Sequence, residues 1–158
     1  MNREDVVFMR RAIEEMRIAA LEKKTGGPFG AVIVLDGKIL AAAGNRVLKD
    51  NDPTAHAEMN AIREAAKVLG RWDLSGATLY TTGECCPMCY AAARWARIDR
   101  IVYASSCADY ADLYADTDIY EDIRQEPSQR SIKMEQLLRD EAAEVWKEFR
   151  DLPEGARY

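Results

Sequence analysis

The sequence predicts an α/β fold built on a five-stranded mixed sheet, on three observations. One is a hairpin joined by Asp36-Gly37, the second a strand–helix–strand unit over residues 77–104, and the third the helical periodicity of the segments around them. The hairpin supplies antiparallel pairing and the strand–helix–strand unit supplies parallel pairing, so the sheet is mixed.

Residues 4–23 place Val6, Met9, Ile13, Met16 and Ala20 at intervals of three and four among Arg, Glu and Lys, as an amphipathic helix requires. Thr25-Gly26-Gly27-Pro28 stops it. Residues 29–35 and 38–43 are strands, and the Asp-Gly between them is a type I′ turn dipeptide. The polar stretch 44–54, with Asn45, Asn51, Asp52 and Pro53, is a loop leading to a helix over 55–69 that stops at Gly70. A strand over 77–82, a cysteine-bearing turn, a helix over 87–97 and a strand over 100–104 form the βαβ unit. Residues 105–118, rich in Ala and Asp, read as irregular, and a short helix is expected over 119–124. Ser131-Ile132-Lys133-Met134-Glu135 alternates like an edge strand, and residues 140–150 carry the Ala143, Val145, Trp146 and Phe149 pattern of a final helix.

A chain of 158 residues is near the size of one domain, so 1–158 is read as a single domain able to bury roughly 68–70% of its unfolded surface. Apolar residues make up 48% and charged residues 31%, which excludes the composition of a disordered chain. No run approaches the roughly 18 apolar residues of a membrane span, and the first residues are acidic, so the expected location is the cytoplasm. A net charge of −5 counts against polynucleotide partners. Three of the four cysteines (Cys85, Cys86, Cys89 and Cys107) fall within five residues, which suits metal binding or redox chemistry better than disulfides.

The chemistry is carried by Pro53-Thr54-Ala55-His56-Ala57-Glu58 and Glu84-Cys85-Cys86-Pro87-Met88-Cys89, each opening a helix. Cys86 and Cys89 are three apart, so both sulfurs can face one ion, and the positive end of a helix favours the thiolates zinc needs. With His56, the chain's single histidine, they make three ligands, which leaves a place for water as in catalytic zinc sites. Such a zinc brings the water's pKa toward about 7. His56 and Glu58 stand about 200° apart on an ideal helix, so His56 must lie in an irregular first turn if Glu58 is to sit beside the water as acid and base. A noncatalytic alternative has Cys85 or Cys107 as a fourth ligand closing the site.

These residues resemble the H-x-E…P-C-x-x-C pattern of the cytidine deaminase superfamily. Cys85 stands where that family usually has proline; Cys86 keeps the C-x-x-C spacing and precedes Pro87. Within the superfamily the chain is most similar to compact bacterial guanine deaminases, through residues 26–34, 51–58, Trp95-Ala96-Arg97 and Tyr158. The first two phrases are shared with cytosine and tRNA adenosine deaminases. The resemblance implies a three-layer α/β/α sandwich with both motif helices on one sheet face.

It also implies hydrolytic deamination of guanine to xanthine and ammonia, with one Zn2+ per subunit, Glu58 as acid/base and Asp116 as second proton carrier; Asp118 is the alternative in that gapped region. Asn45, Phe29, Ala57, Trp95 and Tyr158 are the implied substrate residues, with Phe29 and Trp95 flanking the ring. From the residues alone, Phe29 and Trp95 also fit a core role and Asn45 a turn role. A homodimer is implied, in which the segment from about 140 to 158 packs on a neighbouring subunit. The partner is a small nucleobase, with no polynucleotide and no membrane. Rival readings are a sister deaminase acting on cytosine, guanosine or an aminotriazine, and a tRNA adenosine deaminase.

Overall fold

The structure, a computed structural model, describes residues 3–114 and 116–154, in two compact units, Met1–Tyr120 and Glu121–Tyr158. In the first unit α1 (Arg3–Arg17) widens into a π-helical turn over Ile18–Glu22 and leads to β1 (Gly30–Leu35) and β2 (Lys38–Gly44). A single helical turn, α2 (Val47–Asp50), interrupts the expected loop before α3 (Ala57–Leu69). Then follow β3 (Thr78–Gly83), α4 (Pro87–Trp95) and β4 (Arg100–Ser105). Asp36 and Gly37 both have positive φ, 50° and 72°, as the type I′ hairpin requires.

Among the described residues the sheet has four strands in the order β2-β1-β3-β4. β1 runs antiparallel to both β2 and β3, and β3 runs parallel to β4, so the mixed character holds. β1 is paired on both edges and covered on both faces, which is why Gly30–Val34 is buried throughout and reads as an unbroken apolar run.

Two cores flank the sheet. α1 packs Ala12, Phe8 and Met9 on Val32, Val34 and Tyr80. It comes close because Gly30 and Gly44, partners in the β1–β2 ladder, leave no side chain beneath it: a Cβ on Gly30 would collide with the Ala12 carbonyl, and one on Gly44 with Ala19. On the other face α3 and α4 pack Ala57, Ala61, Ala65, Cys89 and Ala93 on Ala31, Ile33 and Leu79. Small residues on these helices bring their backbones near the sheet.

The fifth strand is a correction. Residues 131–135 form no strand, and Ile132 and Met134 are 77% and 61% exposed. After α5 (Asp116–Ile123), the segment folds back on that helix: Ser131 N–H donates to Asp122 Oδ1 at 2.7 Å, and Arg130 Nε donates to the Gln125 carbonyl at 3.2 Å. The Ser131 N–H, one of the groups a ladder would use, is thereby engaged locally, and alternation without a partner strand gives no sheet. α5 begins three residues before the expected 119, and α6 (Arg139–Asp151) matches the last expected helix. No described helix is long and apolar enough to cross a membrane.

Candidate metal centre and cavity

His56 caps α3 and Cys86 caps α4, each with extended backbone (φ −64°, ψ 156° and φ −63°, ψ 166°). His56 therefore lies just outside the helix, and Glu58 is the second residue within it. The 200° mismatch of a regular helix does not arise, because the side chain of a capping residue leaves the chain before the helical register starts.

His56 Nδ1 lies 3.6 Å from Cys86 Sγ and 3.5 Å from Cys89 Sγ. A tetrahedral ion with Zn–S of about 2.3 Å and Zn–N of about 2.0 Å separates nitrogen and sulfur by about 3.5 Å, so the donor set fits zinc in both chemistry and spacing. Among the described residues no further His, Cys, Asp or Glu joins these three, so neither Cys85 nor Cys107 closes the site. Cys85 is buried; its thiol is pushed up by that burial, and its carbonyl accepts the Tyr120 hydroxyl at 2.6 Å. The Cys86 thiol is pulled down, first by a hydrogen bond with Cys89 and then, against its burial, by His56 and the Cys89 N–H at 3.5 Å. Cys89 moves up, as the partner that keeps its proton while buried.

Glu58 is only 4% exposed, and burial pushes its carboxyl above the ordinary range. The Thr81 hydroxyl donates to its Oε1 at 3.1 Å. Thr81 reaches it from β3 because Leu79 and Thr81 share the strand face beneath α3.

A cavity of about 270 Å³ opens beside these groups, lined in part by His56, Glu58, Cys86, Asn45, Phe29 and Asp116. Asn45 follows β2; its Oδ1 accepts the Val47 N–H at 3.0 Å, and its carbonyl accepts the Thr25 hydroxyl at 2.7 Å. It is thus both a turn residue and a cavity wall, and Gly26 is needed beside it, since a Cβ there would collide with Asn45 Oδ1. Phe29 meets the rings of Tyr110 and Tyr114 edge-on, at 5.4 and 5.0 Å between centroids. Asp116 opens α5, and its carboxyl is raised by burial first and by nearby Cys86 second. Asp118 is exposed and does not line the cavity, whereas Asp116 does.

Ala57 is buried at the first position of α3, without lining the cavity. Trp95 stands on the last turn of α4, 66% exposed, and does not line this cavity. Tyr158 lies outside the described residues. The cavity also takes Tyr114 and Glu84, which sequence reasoning did not single out as site residues. Glu84 Oε2 accepts the Cys107 N–H at 3.2 Å, an arrangement that depends on β3 and β4 ending side by side.

A family model described as the cytidine and deoxycytidylate deaminase zinc-binding region matches residues 2–105. The guanine deaminase of Bacillus subtilis is 41% identical over 152 residues, 96% of this chain and 97% of that protein. The tRNA-specific adenosine deaminase of the same organism is 44% identical, but over 102 residues, 65% of this chain and 62% of that one. The X-ray structure of guanine deaminase from Bacillus subtilis superposes with a TM-score of 0.92 at 40% identity, covering 100% of this chain and 99% of that one.

Proposed function

This chain belongs to the cytidine and deoxycytidylate deaminase family, and we propose that it deaminates guanine to xanthine and ammonia at one zinc ion held by His56, Cys86 and Cys89. The observation that carries the substrate is the likeness to a guanine deaminase along nearly the whole chain, where the likeness to a tRNA-specific adenosine deaminase covers 65% of it. A cavity of about 270 Å³ supports a small ligand, just under the roughly 300–1,000 Å³ usual for binding pockets.

When bound, the zinc supplies a Lewis acid that makes a water molecule acidic near neutral pH. Glu58 takes the proton of that water and delivers it to the ring nitrogen beside the carbon bearing the exocyclic amine. Its burial suits the task, since a raised carboxyl pKa lets one group both accept and return a proton. Asp116, also raised by burial, carries the second proton to the departing ammonia. Asn45 hydrogen-bonds the base and Phe29 covers one face of its ring.

The reading extends to a cytoplasmic homodimer, in which the segment from about residue 140 to Tyr158 covers a neighbouring subunit's cavity. Support comes from residues 121–154, none of which is buried, with Leu137 83% and Trp146 61% exposed.

Ammonia release from guanine, guanosine, cytosine and adenine tests the substrate, beside metal analysis. Turnover of guanine with one zinc per chain is expected, and no turnover of guanine overturns the reading.

A further inference from the structure

We infer that Thr81 is a positioning residue for the proton transfer, holding Glu58 by one oxygen so that the other carries the proton. The inference rests on the deaminase reading above. Thr81 does not line the cavity and is fully buried, so it cannot touch a substrate and acts only through its neighbour. Its hydroxyl donates to Glu58 Oε1 at 3.1 Å. A hydroxyl has a single proton to give, and while Thr81 gives it to Oε1 that oxygen has no need of another. The transferable proton then belongs on Oε2.

A carboxyl group on a three-bond side chain has two equivalent oxygens and several rotamers. Glu58 is held at its backbone by the second position of α3 and at its tip by β3, two elements that pack face to face. The grip, together with a hydrogen bond from the Glu58 N–H to its own carboxyl, opposes both the exchange of oxygens and the swing of the side chain. Such alignment counts in catalysis, because a displaced proton carrier loses rate without losing substrate affinity.

The test compares variants whose order differs between a positioning and a packing role. Thr81→Val keeps shape and removes the donor; Thr81→Ser keeps the donor and removes a methyl. Positioning predicts that Thr81→Val lowers kcat per bound zinc about 10- to 100-fold with KM within about twofold, while Thr81→Ser stays within about threefold of wild type. Packing predicts the reverse order, with Thr81→Val close to wild type, and that result overturns the inference. If Thr81→Val does not fold, Thr81→Ala against Thr81→Ser isolates the hydroxyl in the same way.

The assay uses whichever of guanine, guanosine, cytosine and adenine the wild type turns over, so a wrong substrate is told apart from a wrong role for Thr81. Infrared absorption of the Glu58 carboxyl, assigned by its loss in Glu58→Gln, gives a readout without turnover. The band is expected to shift in Thr81→Val and to stay in place in Thr81→Ser; an unmoved band in both overturns the inference.

Discussion

The two faces of the sheet are built from alternate residues of the same strands and solve opposite problems. Tyr80 and Thr81 are neighbours on β3, yet one faces α1 and the other α3. Under α1 the polar groups neutralise one another: Asp5 accepts the Tyr80 hydroxyl at 2.7 Å and both guanidinium nitrogens of Arg100 at 2.9 Å. Under α3 and α4 a carboxyl, an imidazole and two thiols are gathered at two helix starts beside an open cavity. The first arrangement is complete within the protein, and the second is complete only with an ion and a substrate. A buried polar group with all its partners stabilises, and one awaiting a partner works.

Glu58→Ala, on the working face, should lower kcat by about 10²–10⁴-fold and keep zinc; unchanged turnover by ammonia release would sink its role as proton carrier. Cys86→Ala should lose both zinc and activity, read by metal analysis. Asp116→Asn should cost about 10²-fold in kcat and Asp118→Asn less than twofold; equal losses would erase the distinction drawn between them.

On the α1 face the currency is stability. Asp5→Ala strands a buried hydroxyl and should cost about 1–3 kcal/mol in urea unfolding, with kcat of the folded enzyme unchanged. Tyr80→Phe should cost about 1 kcal/mol. Its phenol is pushed up to about 12, by burial first and the bond to Asp5 second, against about 10 when unfolded. A folded pKa above the unfolded one means the contribution is full below pH 10 and fades as pH rises toward 12. Phenolate absorbance in wild type and Tyr80→Phe would show that late ionisation or its absence.

What the sequence disclosed divides along similar lines. Features set by neighbours in the chain were legible: the Asp36-Gly37 hairpin, the stop at Gly70 and the Cys86–Cys89 spacing all depend on a few consecutive residues. An irregular setting for His56 was legible, since a regular helix could not aim it together with Glu58, but the expected first turn is in fact the cap position just outside α3. Features set by distant pairing were not legible. Thr81 reads as an ordinary strand threonine, because its partner is 23 residues away across two packed elements. Tyr114 meets Phe29 only once the segment after β4 has returned to the start of β1. Residues 131–135 misled for the converse reason: their alternation was real, but among the described residues no strand pairs with them, and the Ser131 N–H turns to Asp122 of α5 instead.

The spacing of the three ligands also makes the centre a clock for folding. Cys86 and Cys89 lie within one turn and meet early, whereas His56 joins across 30 residues. Closing that loop costs about 3 kcal/mol from its length alone, and here the connecting chain closes by forming α3 and seating β3 against β1. On that cost, an ion offered to a refolding chain is expected to meet a two-thiolate site first and a three-ligand site only when the sheet is in register. With cobalt as a coloured substitute, thiolate absorption should precede the change to a tetrahedral spectrum, and the interval between them would time the pairing of the central strands.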